Sequence, residues 1–177
     1  MDFDPPELCI EGFDARRLTE TDLTALQALL ESALDFSLLV DGIPPAVDAA
    51  LSLLHDLPPT KDALDKFVFG FFDADDQLIG VLDCLRAYPD AATWWIGLLL
   101  FQPQARGSGM GKKVVDGFMR WVAQQGAACV GLGVVEANTE GLIFWQKLGF
   151  IEQERRPPSR FGEKEHRVVM MHKNIAQ

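Results

Sequence analysis

Apolar residues recur every three or four positions in several stretches, the spacing that places them on one face of a helix. The first stretch follows Thr19, which can cap a helix, with Asp22 three positions on as a capping-box variant. Its apolar stripe is Leu23, Leu26, Leu30 and Leu34. Three further helices are predicted. The first opens at Pro44 or Pro45 and runs to about Leu54, the second follows a glycine-rich loop and ends near Gln125, and the third lies between Asn138 and Gly149.

Short apolar runs between polar turns predict strands. The clearest pair, residues 66–72 and 78–86, flanks the polar turn 73–77 and is typical of a β-hairpin. The other predicted strands cover residues 7–13, 93–101, 128–135, 150–155 and 167–173, and residues 156–165 are predicted to form a loop. This order of elements predicts an α/β (α+β) fold in which a mixed sheet carries helices on both faces.

Composition narrows the class of protein. The 177 residues, 48% of them hydrophobic, suit one globular domain that spans residues 1–177. A formal net charge of −10 argues against nucleic acid as a partner. The N-terminus has no basic and then apolar stretch, and no apolar run is long enough to cross a bilayer, so a cytoplasmic protein without a membrane partner is expected.

Cysteine and histidine usage points away from disulfides and metals. Cys9, Cys84 and Cys129 are odd in number, far apart and in apolar surroundings, so they are expected to be reduced core residues. The three histidines lack the spacing of metal ligands, and no bound metal is expected.

The stretch 102–113 lies between a predicted strand and a predicted helix and carries three glycines. Glycines let backbone N–H groups approach a ligand, and the free N–H groups of a helix's first turn favour a phosphate or pyrophosphate. A Walker A loop would need glycine at Arg106 and a hydroxyl at Lys113, and a Rossmann turn would need its third glycine at Lys112. The pattern that fits is R-x-x-G-x-G beginning at Arg106, with an ordinary strand–helix turn as the alternative.

This loop resembles the acetyl-CoA loop of the GNAT acyltransferase superfamily, R/Q-x-x-G-x-G/A. The stretch 131–150 is similar to the closing motif of that superfamily, in which a strand is followed by Asn, a small residue three positions on, and then Phe-Tyr-x-Lys-x-Gly-Phe. The matching residues are Asn138, Gly141, Phe144, Lys147, Gly149 and Phe150. The two motifs have the family's order and spacing, so the resemblance is clear over residues 94–150 and extends to the rest in element order.

The resemblance implies a mixed, mostly antiparallel sheet of about seven strands, in which the strands 93–101 and 128–135 splay apart and hold acyl-CoA between them. The pyrophosphate would bind backbone N–H groups of the loop, and a backbone N–H at Leu100 would stabilise the thioester oxyanion. The acetyl-CoA-binding residues that the resemblance implies are Leu99, Leu100, Phe101, Arg106, Gly107, Ser108, Gly109, Met110, Gly111, Lys112, Asn138, Phe144 and Trp145.

Two departures from the family concern proton transfer. Trp145 stands where the family commonly has Tyr, and an indole N–H does not act as an acid near neutral pH. The strand that precedes the loop carries no carboxylate, so the candidates for the catalytic base are Asp83 and Glu136. For Asp83 the alternative is an ion pair with Lys66 or Arg86, and for Glu136 it is a solvated or capping role.

The function that the resemblance implies is transfer of the acetyl group of acetyl-CoA to the amine of a small acceptor, by direct attack in a ternary complex. The alternatives are a non-catalytic acyl-CoA-binding or regulatory module and a protein N-acetyltransferase, and a homodimer stays open. The length of the segments 37–59 and 156–165 favours a covered site, and therefore a small acceptor.

Charge is divided unequally along the chain. Residues 1–76 hold 17 acidic and 4 basic residues, a net charge of −13, against +3 for the remainder. In the family the first two helices and their connection build much of the acceptor side, so Asp35, Asp41 and Asp48 are expected near the acceptor. These carboxylates would attract a cationic amine, and a plain solubilising surface is the alternative.

Overall fold

The computed structural model describes residues 5–175, which form nine strands and five α-helices. In chain order they are β1 (Asp14–Arg17), α1 (Leu23–Ser32), α2 (Leu34–Val40), α3 (Ala49–His55), β2 (Lys66–Phe72), β3 (Leu78–Leu85), β4 (Thr93–Phe101), α4 (Met110–Gln124), β5 (Cys129–Val135), α5 (Thr139–Lys147), β6 (Ile151–Arg155), β7 (Ser159–Phe161), β8 (Lys164–His166) and β9 (Val168–Asn174). No single helix in this part of the chain is long and apolar enough to cross a membrane. Only Glu20–Ser32 and α2 taken together, across a bend of 68°, reach such a length and composition.

Seven of the described strands form one sheet in the order β1-β2-β3-β4-β5-β9-β6, and β7 and β8 form a separate hairpin. The neighbours β4 and β5 run parallel, and the other neighbouring pairs of the sheet are antiparallel. The predicted mixed, mostly antiparallel sheet is therefore confirmed.

Helices cover both faces of this sheet, as predicted, and β2 shows why. All seven of its residues are buried, so alternate side chains enter two different cores. One core contains Phe67 and Phe71 together with the apolar face of α4 and Trp145 of α5. The other contains Val68 and Phe72 together with apolar residues of α1 and α3.

The strands β4 and β5 separate halfway along their length. They pair only from Thr93 opposite Cys129 to Ile96 opposite Leu132. Beyond that point β4 stays paired with β3, while β5 stays paired with β9 as far as Val135. The predicted splay is therefore present, and it opens the sheet next to the loop that follows β4.

The first strand lies later than the hydrophobic pattern predicts. Residues 7–13 form no strand, and β1 begins at Asp14. Leu8 and Ile10 belong to the core that contains α4, and a Cβ added to Gly117 of α4 would come within 2.3 Å of the Ile10 side chain. Their alternation therefore reflects packing on a helix, whereas β1 is an edge strand whose side chains are mostly exposed and polar.

All three cysteines are free, as predicted, but only one of them is a fully buried core residue. Cys84 is buried, Cys129 is partly buried and Cys9 is exposed. Cys9 faces solvent because its two neighbours, Leu8 and Ile10, point into the core.

The predicted first helix is two helices in the structure. The capping box of Thr19 and Asp22 is present, on a 3₁₀ turn that leads into α1. The chain breaks at Ala33, where ψ is 39°, and α2 starts with the next residue. The helix predicted to open at Pro44 or Pro45 begins later, at the first residue of α3. Residues 43–46 precede it and line a pocket beside the sheet.

Residues 156–165, predicted as a loop, contain most of the β7–β8 hairpin. The hairpin is held by the end of α2: the Glu163 N–H donates to the Asp41 carbonyl at 2.8 Å, and His166 Nε2 lies 2.9 Å from the Val40 carbonyl oxygen. Gly162, with φ +53°, packs so closely against Asp41 that an added Cβ would lie 2.5 Å from the Asp41 backbone carbonyl oxygen. These contacts join segments more than a hundred residues apart, which is why local sequence does not reveal the hairpin.

Candidate active site

The divergence of β4 and β5 leaves a cleft of about 280 Å³ at the centre of the sheet. Backbone and apolar side chains of both strands line it, together with residues from α2, α5 and the β7–β8 hairpin. The lining residues are Phe36, Val40, Ile96, Gly97, Leu98, Leu99, Leu132, Gly133, Val134, Val135, Asn138, Trp145 and Phe161. A narrow apolar slot with exposed strand backbone suits an extended chain that carries amide groups.

The glycine loop connects the end of β4 to the start of α4, as the sequence predicts. Gly107 and Gly109 have φ of +76° and +81°, and a Cβ added to either would meet no atom within 4 Å. The loop therefore presents an open surface of backbone. Gly109 is the N-cap of α4 and has no side chain that could accept a hydrogen bond from the first-turn N–H groups. This arrangement favours an anion such as a pyrophosphate.

The third glycine of the loop has a packing role. A Cβ added to Gly111 would lie 3.1 Å from ring atoms of Phe144, so the glycine brings α4 close to α5. The Ser108 hydroxyl donates to the Ala105 carbonyl at 3.0 Å, and Met110 is buried at the first position of α4. Both contacts hold the loop in place.

The two cations of the loop are engaged in ion pairs. Arg106 donates from Nε to the Phe101 carbonyl at 2.9 Å and from both terminal nitrogens to the carboxylate of Asp35 on α2. This bonding lowers the pKa of Asp35. Lys112 pairs with Asp116 one helical turn further on. Exposed pairs of this kind contribute only about 0–1 kcal/mol, so either cation can exchange its partner for a phosphate at little cost.

The second motif positions α5 against the cleft. Asn138 Oδ1 accepts a hydrogen bond from the Gly141 N–H at 2.9 Å and caps the helix. A Cβ at Gly141 would come within 2.5 Å of the Asn138 amide nitrogen, which explains the small residue three positions after the Asn. Trp145 is buried, lines the cleft, and packs edge-on against Phe144 and Phe150 at centroid distances of 4.9 and 5.0 Å.

The three residues predicted at the end of β4 occupy two faces of the sheet. Leu99 lines the cleft and packs against the core that contains α4, while Phe101 is buried in that core. Leu100 is buried on the opposite face and lines a second pocket beside α1. Their proposed roles toward a thioester stay predictions.

Asp83 on β3 forms the ion pair with Lys66 that the sequence left open. Its Oδ1 lies 3.0 Å from Lys66 Nζ, and both side chains are buried. The contact lacks hydrogen-bond geometry, so this oxygen has no hydrogen-bond partner in the described part of the chain. Burial raises the pKa of Asp83, although the ammonium of Lys66 opposes that rise. Arg86, the other candidate partner, instead binds Asp65 at 2.8 Å.

Gly97 on β4 is a site residue that sequence reasoning missed. The pairing of β3 with β4 shifts register between Asp83 and Cys84, which leaves Gly97 as the extra residue of a β-bulge. A Cβ added to Gly97 would lie 2.5 Å from Asp83 Oδ2. The missing side chain therefore lets the buried carboxylate pack on the backbone of a residue that lines the cleft. A glycine inside an apolar strand was the available signal.

Glu136, the other candidate base, follows β5 and forms an ion pair with Arg155. Arg155 also binds Glu152 at 2.7 Å, and all three side chains are well exposed. Glu136 is not among the residues that line the cleft. The structure thus places one candidate base beside the cleft and the other at the surface.

A second pocket, of about 270 Å³, adjoins the cleft on the face of the sheet that carries α1 and α3. Phe36 and Leu98 line both cavities. The lining residues are Leu30, Ala33, Phe36, Ser37, Asp41, Ile43, Pro44, Pro45, Ala46, Ala49, Leu98, Leu100 and Gly162. The two segments predicted to cover the site, 37–59 and 156–165, therefore both border this pocket.

The three carboxylates expected near the acceptor differ in position. Asp35 is paired with Arg106, Asp41 lines the second pocket, and Asp48 is exposed and does not line it. Within residues 5–175, no group of three or more His, Cys, Asp or Glu side chains is arranged to hold a metal ion.

Comparisons with known proteins agree with this geometry. Residues 40–150 match the sequence model of the Acetyltransferase (GNAT) family. No protein with a curated description matches the chain by sequence. Among solved structures, an acetyltransferase from Thermus thermophilus is 19% identical, with a TM-score of 0.74 over 93% of this chain and 98% of that chain.

Two further structures share the fold. A spermidine N-acetyltransferase from Vibrio cholerae, in complex with CoA and spermine, is 16% identical with a TM-score of 0.71, over 93% of this chain and 96% of that chain. The ribosomal-protein-S18-alanine N-acetyltransferase from Escherichia coli is 15% identical with a TM-score of 0.66, over 93% of this chain and 95% of that chain. Because the family match spans well over half of the sequence, the chain belongs to the GNAT family of acetyltransferases.

Proposed function

We propose that this protein transfers the acetyl group of acetyl-CoA to the amine of a small acceptor, with both substrates bound at once. The observation that carries the proposal is the separation of β4 and β5 beyond Ile96 and Leu132, next to an open glycine loop. The cleft suits the pantetheine arm, and the loop suits the pyrophosphate.

In this proposal acetyl-CoA lies across the loop and along the exposed edge of β4. The backbone N–H groups of residues 106–112 bind the pyrophosphate, and Arg106 and Lys112 add positive charge once their exposed carboxylate partners are released. The pantetheine arm contacts Leu99, Asn138 and the apolar pair Phe144 and Trp145. The thioester oxygen is stabilised by a backbone N–H near the end of β4, within residues 99–101.

The chemical step requires a deprotonated amine. The amine nitrogen attacks the carbonyl carbon, a C–N bond forms, the C–S bond breaks, and the CoA thiolate leaves with the electron pair. The proton lost by the amine passes through water to the carboxylate of Asp83. Burial of Asp83 supports this role, because a raised pKa makes its carboxylate a stronger base. Asp83 also lines a pocket of about 460 Å³ beside α3, which gives room for such a water.

The thiolate does not require an acid. A thiol has an ordinary pKa of about 8.5, so the thiolate can depart and take a proton from water. Trp145 therefore serves packing, since its indole is a hydrogen-bond donor only. A site without an acid at position 145 is also what the second candidate, a module that binds acyl-CoA without turnover, would have.

Acetyl-CoA and a panel of amines, followed by free-thiol release and by mass spectrometry of the product, would separate these candidates. Acetylation above the rate of acetyl-CoA hydrolysis without amine supports the proposal. Tight acetyl-CoA binding without transfer to any amine would support the binding module instead. Transfer to peptide N-termini in preference to free amines would support a protein acetyltransferase.

A further inference from the structure

The pocket beside the cleft is lined mainly by apolar side chains. Leu98 and Leu100 of β4 line it from the sheet, Phe36 from α2, and Ile43 with the two prolines that follow it from the connection between α2 and α3. Its volume of about 270 Å³ is slightly below the roughly 300–1,000 Å³ of most small-molecule sites. The pocket therefore suits a compact, mainly apolar body.

The β7–β8 hairpin borders the pocket and is fixed to the end of α2. Gly162 at the turn of the β7–β8 hairpin packs against Asp41, and the Glu163 N–H donates to the Asp41 carbonyl at 2.8 Å. Lys164 and His166 contact the carbonyl oxygens of Leu39 and Val40. These contacts tie the hairpin to the end of α2.

Charge in the lining of the pocket is sparse. Asp41 is the one charged residue that lines it in the described part of the chain, and Ser37 is the one other residue with a polar side chain. The nearby carboxylate of Asp35 is bonded to the guanidinium of Arg106 and adds no free negative charge. Among the described residues, Asp41 is therefore the one carboxylate of the lining that could pair with an ammonium, and the rest of the lining would strip that ammonium of water.

The pocket reaches the reacting centre. Phe36 and Leu98 border both the pocket and the cleft, and Leu98 follows Gly97, on which the Asp83 carboxylate packs. An amine whose carbon skeleton fills the pocket can therefore extend its nitrogen past Leu98 toward the thioester.

We propose that the acceptor is a small primary monoamine on an apolar aliphatic or aromatic skeleton, and not a polyamine. This inference rests on the proposed function and specifies the substrate class of the same site. Each methylene that becomes buried should raise kcat/KM about fourfold until the pocket is full. A second ammonium at the far end of the skeleton should lower kcat/KM about tenfold, because burying an ammonium in a mainly apolar lining costs more than a single pair with Asp41 returns.

The test compares amines of matched length with acetyl-CoA as the donor. We expect kcat/KM to rise from propylamine to hexylamine, and hexylamine to exceed 1,6-diaminohexane even though the diamine has two reactive ends. Spermidine should be a poor acceptor. A preference for the diamine or for spermidine, or no increase along the alkylamine series, would overturn the inference.

A charge introduced into the pocket provides a matched pair of variants. Ile43→Glu places a second carboxylate in the lining at a residue that is 39% exposed. It should narrow or reverse the preference for hexylamine over the diamine. Val47→Glu makes the same change four residues on, at a side chain that is 94% exposed and outside the pocket lining, and should leave the preference unchanged. Equal effects of the two variants would contradict the pocket assignment.

A binding measurement keeps this inference separate from the proposed function. Hexylamine and 1,6-diaminohexane are titrated by calorimetry into the protein saturated with CoA. If no amine is acetylated but hexylamine binds more tightly than the diamine, the catalytic proposal fails and the pocket assignment stands. If amines are acetylated but hexylamine binds no better than the diamine, the catalytic proposal stands and the pocket assignment fails.

Discussion

The two sides of the candidate site are built by different means. The proposed cofactor side consists of backbone presented by a short local segment, residues 106–112, which includes the start of α4. The proposed acceptor side consists of side chains from α1, α2 and β4 and of a hairpin that lies more than a hundred residues after α2. Backbone recognition depends on glycines at fixed spacing and is visible in the sequence, whereas the acceptor pocket exists only after distant segments have packed together.

This difference has a consequence for mutations. Changes on the acceptor side should alter kcat and the choice of amine while leaving acetyl-CoA affinity intact. Changes in the loop should weaken acetyl-CoA binding whichever amine is used. If variants on one side changed acetyl-CoA affinity and the choice of amine equally, the two sides would not be functionally separate.

The largest effect on the chemical step is expected at Asp83. Asp83→Asn keeps the size of the side chain but removes the base, so kcat should fall by about 10²–10⁴-fold, the usual contribution of general base catalysis. Acetyl-CoA affinity measured by calorimetry should stay within about twofold, because the residue lies on β3, away from the loop. Unchanged kcat in a folded variant would remove Asp83 from the mechanism.

Asp83→Asn also removes the ion pair with Lys66, and breaking a buried pair destabilises a protein by about 3–5 kcal/mol. A control must therefore separate loss of stability from loss of the base. Lys66→Met breaks the same pair at 3.0 Å but keeps the carboxylate. It should lower the melting temperature as Asp83→Asn does and yet retain far more activity. Equal losses of kcat would assign the effect to stability rather than to proton transfer.

The pH dependence of activity follows from the same carboxyl group. Burial raises the pKa of Asp83 above 3.8, and only the ionised form accepts a proton, so kcat/KM should fall as pH drops through a value higher than that of an ordinary Asp. This limb should disappear in Asp83→Asn, where only the titration of the amine remains. In Lys66→Met it should move to higher pH, because the opposing ammonium is gone. Profiles of the three proteins with one amine test these statements.

Gly97→Ala is expected to have a smaller effect, on the order of tenfold in kcat. Its Cβ would lie 2.5 Å from Asp83 Oδ2 and would displace the carboxylate from the backbone of this cleft-lining residue. Gly131→Ala is the matched control, because its Cβ would meet the Trp95 ring at 2.8 Å in the paired part of the neighbouring strand, away from any carboxylate. If the control loses as much activity at the same stability, the contact between Gly97 and Asp83 has no catalytic meaning.

The smallest effect is expected at Trp145. Trp145→Phe should keep kcat within about fivefold, since the indole N–H supplies no proton, and Trp145→Tyr should hold or raise the rate. Both variants need a check of thermal stability, because Trp145 packs against Phe144 and Phe150. A collapse of kcat in the Phe variant, with normal stability and normal CoA binding, would show that the indole takes part in the chemistry.

Most of the fold could be predicted because its signals are local. The hairpin of β2 and β3 surrounds a polar turn, and Gly126 and Gly149 adopt the positive φ of helix ends, as expected. The edge strand β1 could not be predicted from an apolar pattern, because an edge strand can carry mostly exposed polar side chains. The β7–β8 hairpin depends on tertiary contacts with the end of α2, and the alanine at position 33 gives no local signal of the break there.

The site divides in the same way. The glycine loop and the Asn138 cap could be predicted, because spacing alone defines them. The approach of Asp83 to Gly97 could not, because it depends on a bulge in the register of β3 against β4. Of the three carboxylates expected near the acceptor, Asp35 pairs with Arg106, Asp41 lines the second pocket and Asp48 lies away from that lining, and their role toward an amine stays a prediction.

The central claim, that the glycine loop binds acetyl-CoA through its backbone, is tested most directly by calorimetry on two glycine variants. Gly109 and Gly126 both have φ of +81° and no atom within 4 Å of an added Cβ, so valine should strain the backbone equally at either end of α4. Gly109→Val should weaken acetyl-CoA binding at least tenfold, because its side chain would occupy the surface that the pyrophosphate approaches, while Gly126→Val should bind as the parent protein does. Unchanged affinity in Gly109→Val, or equal weakening in both variants, would contradict the account.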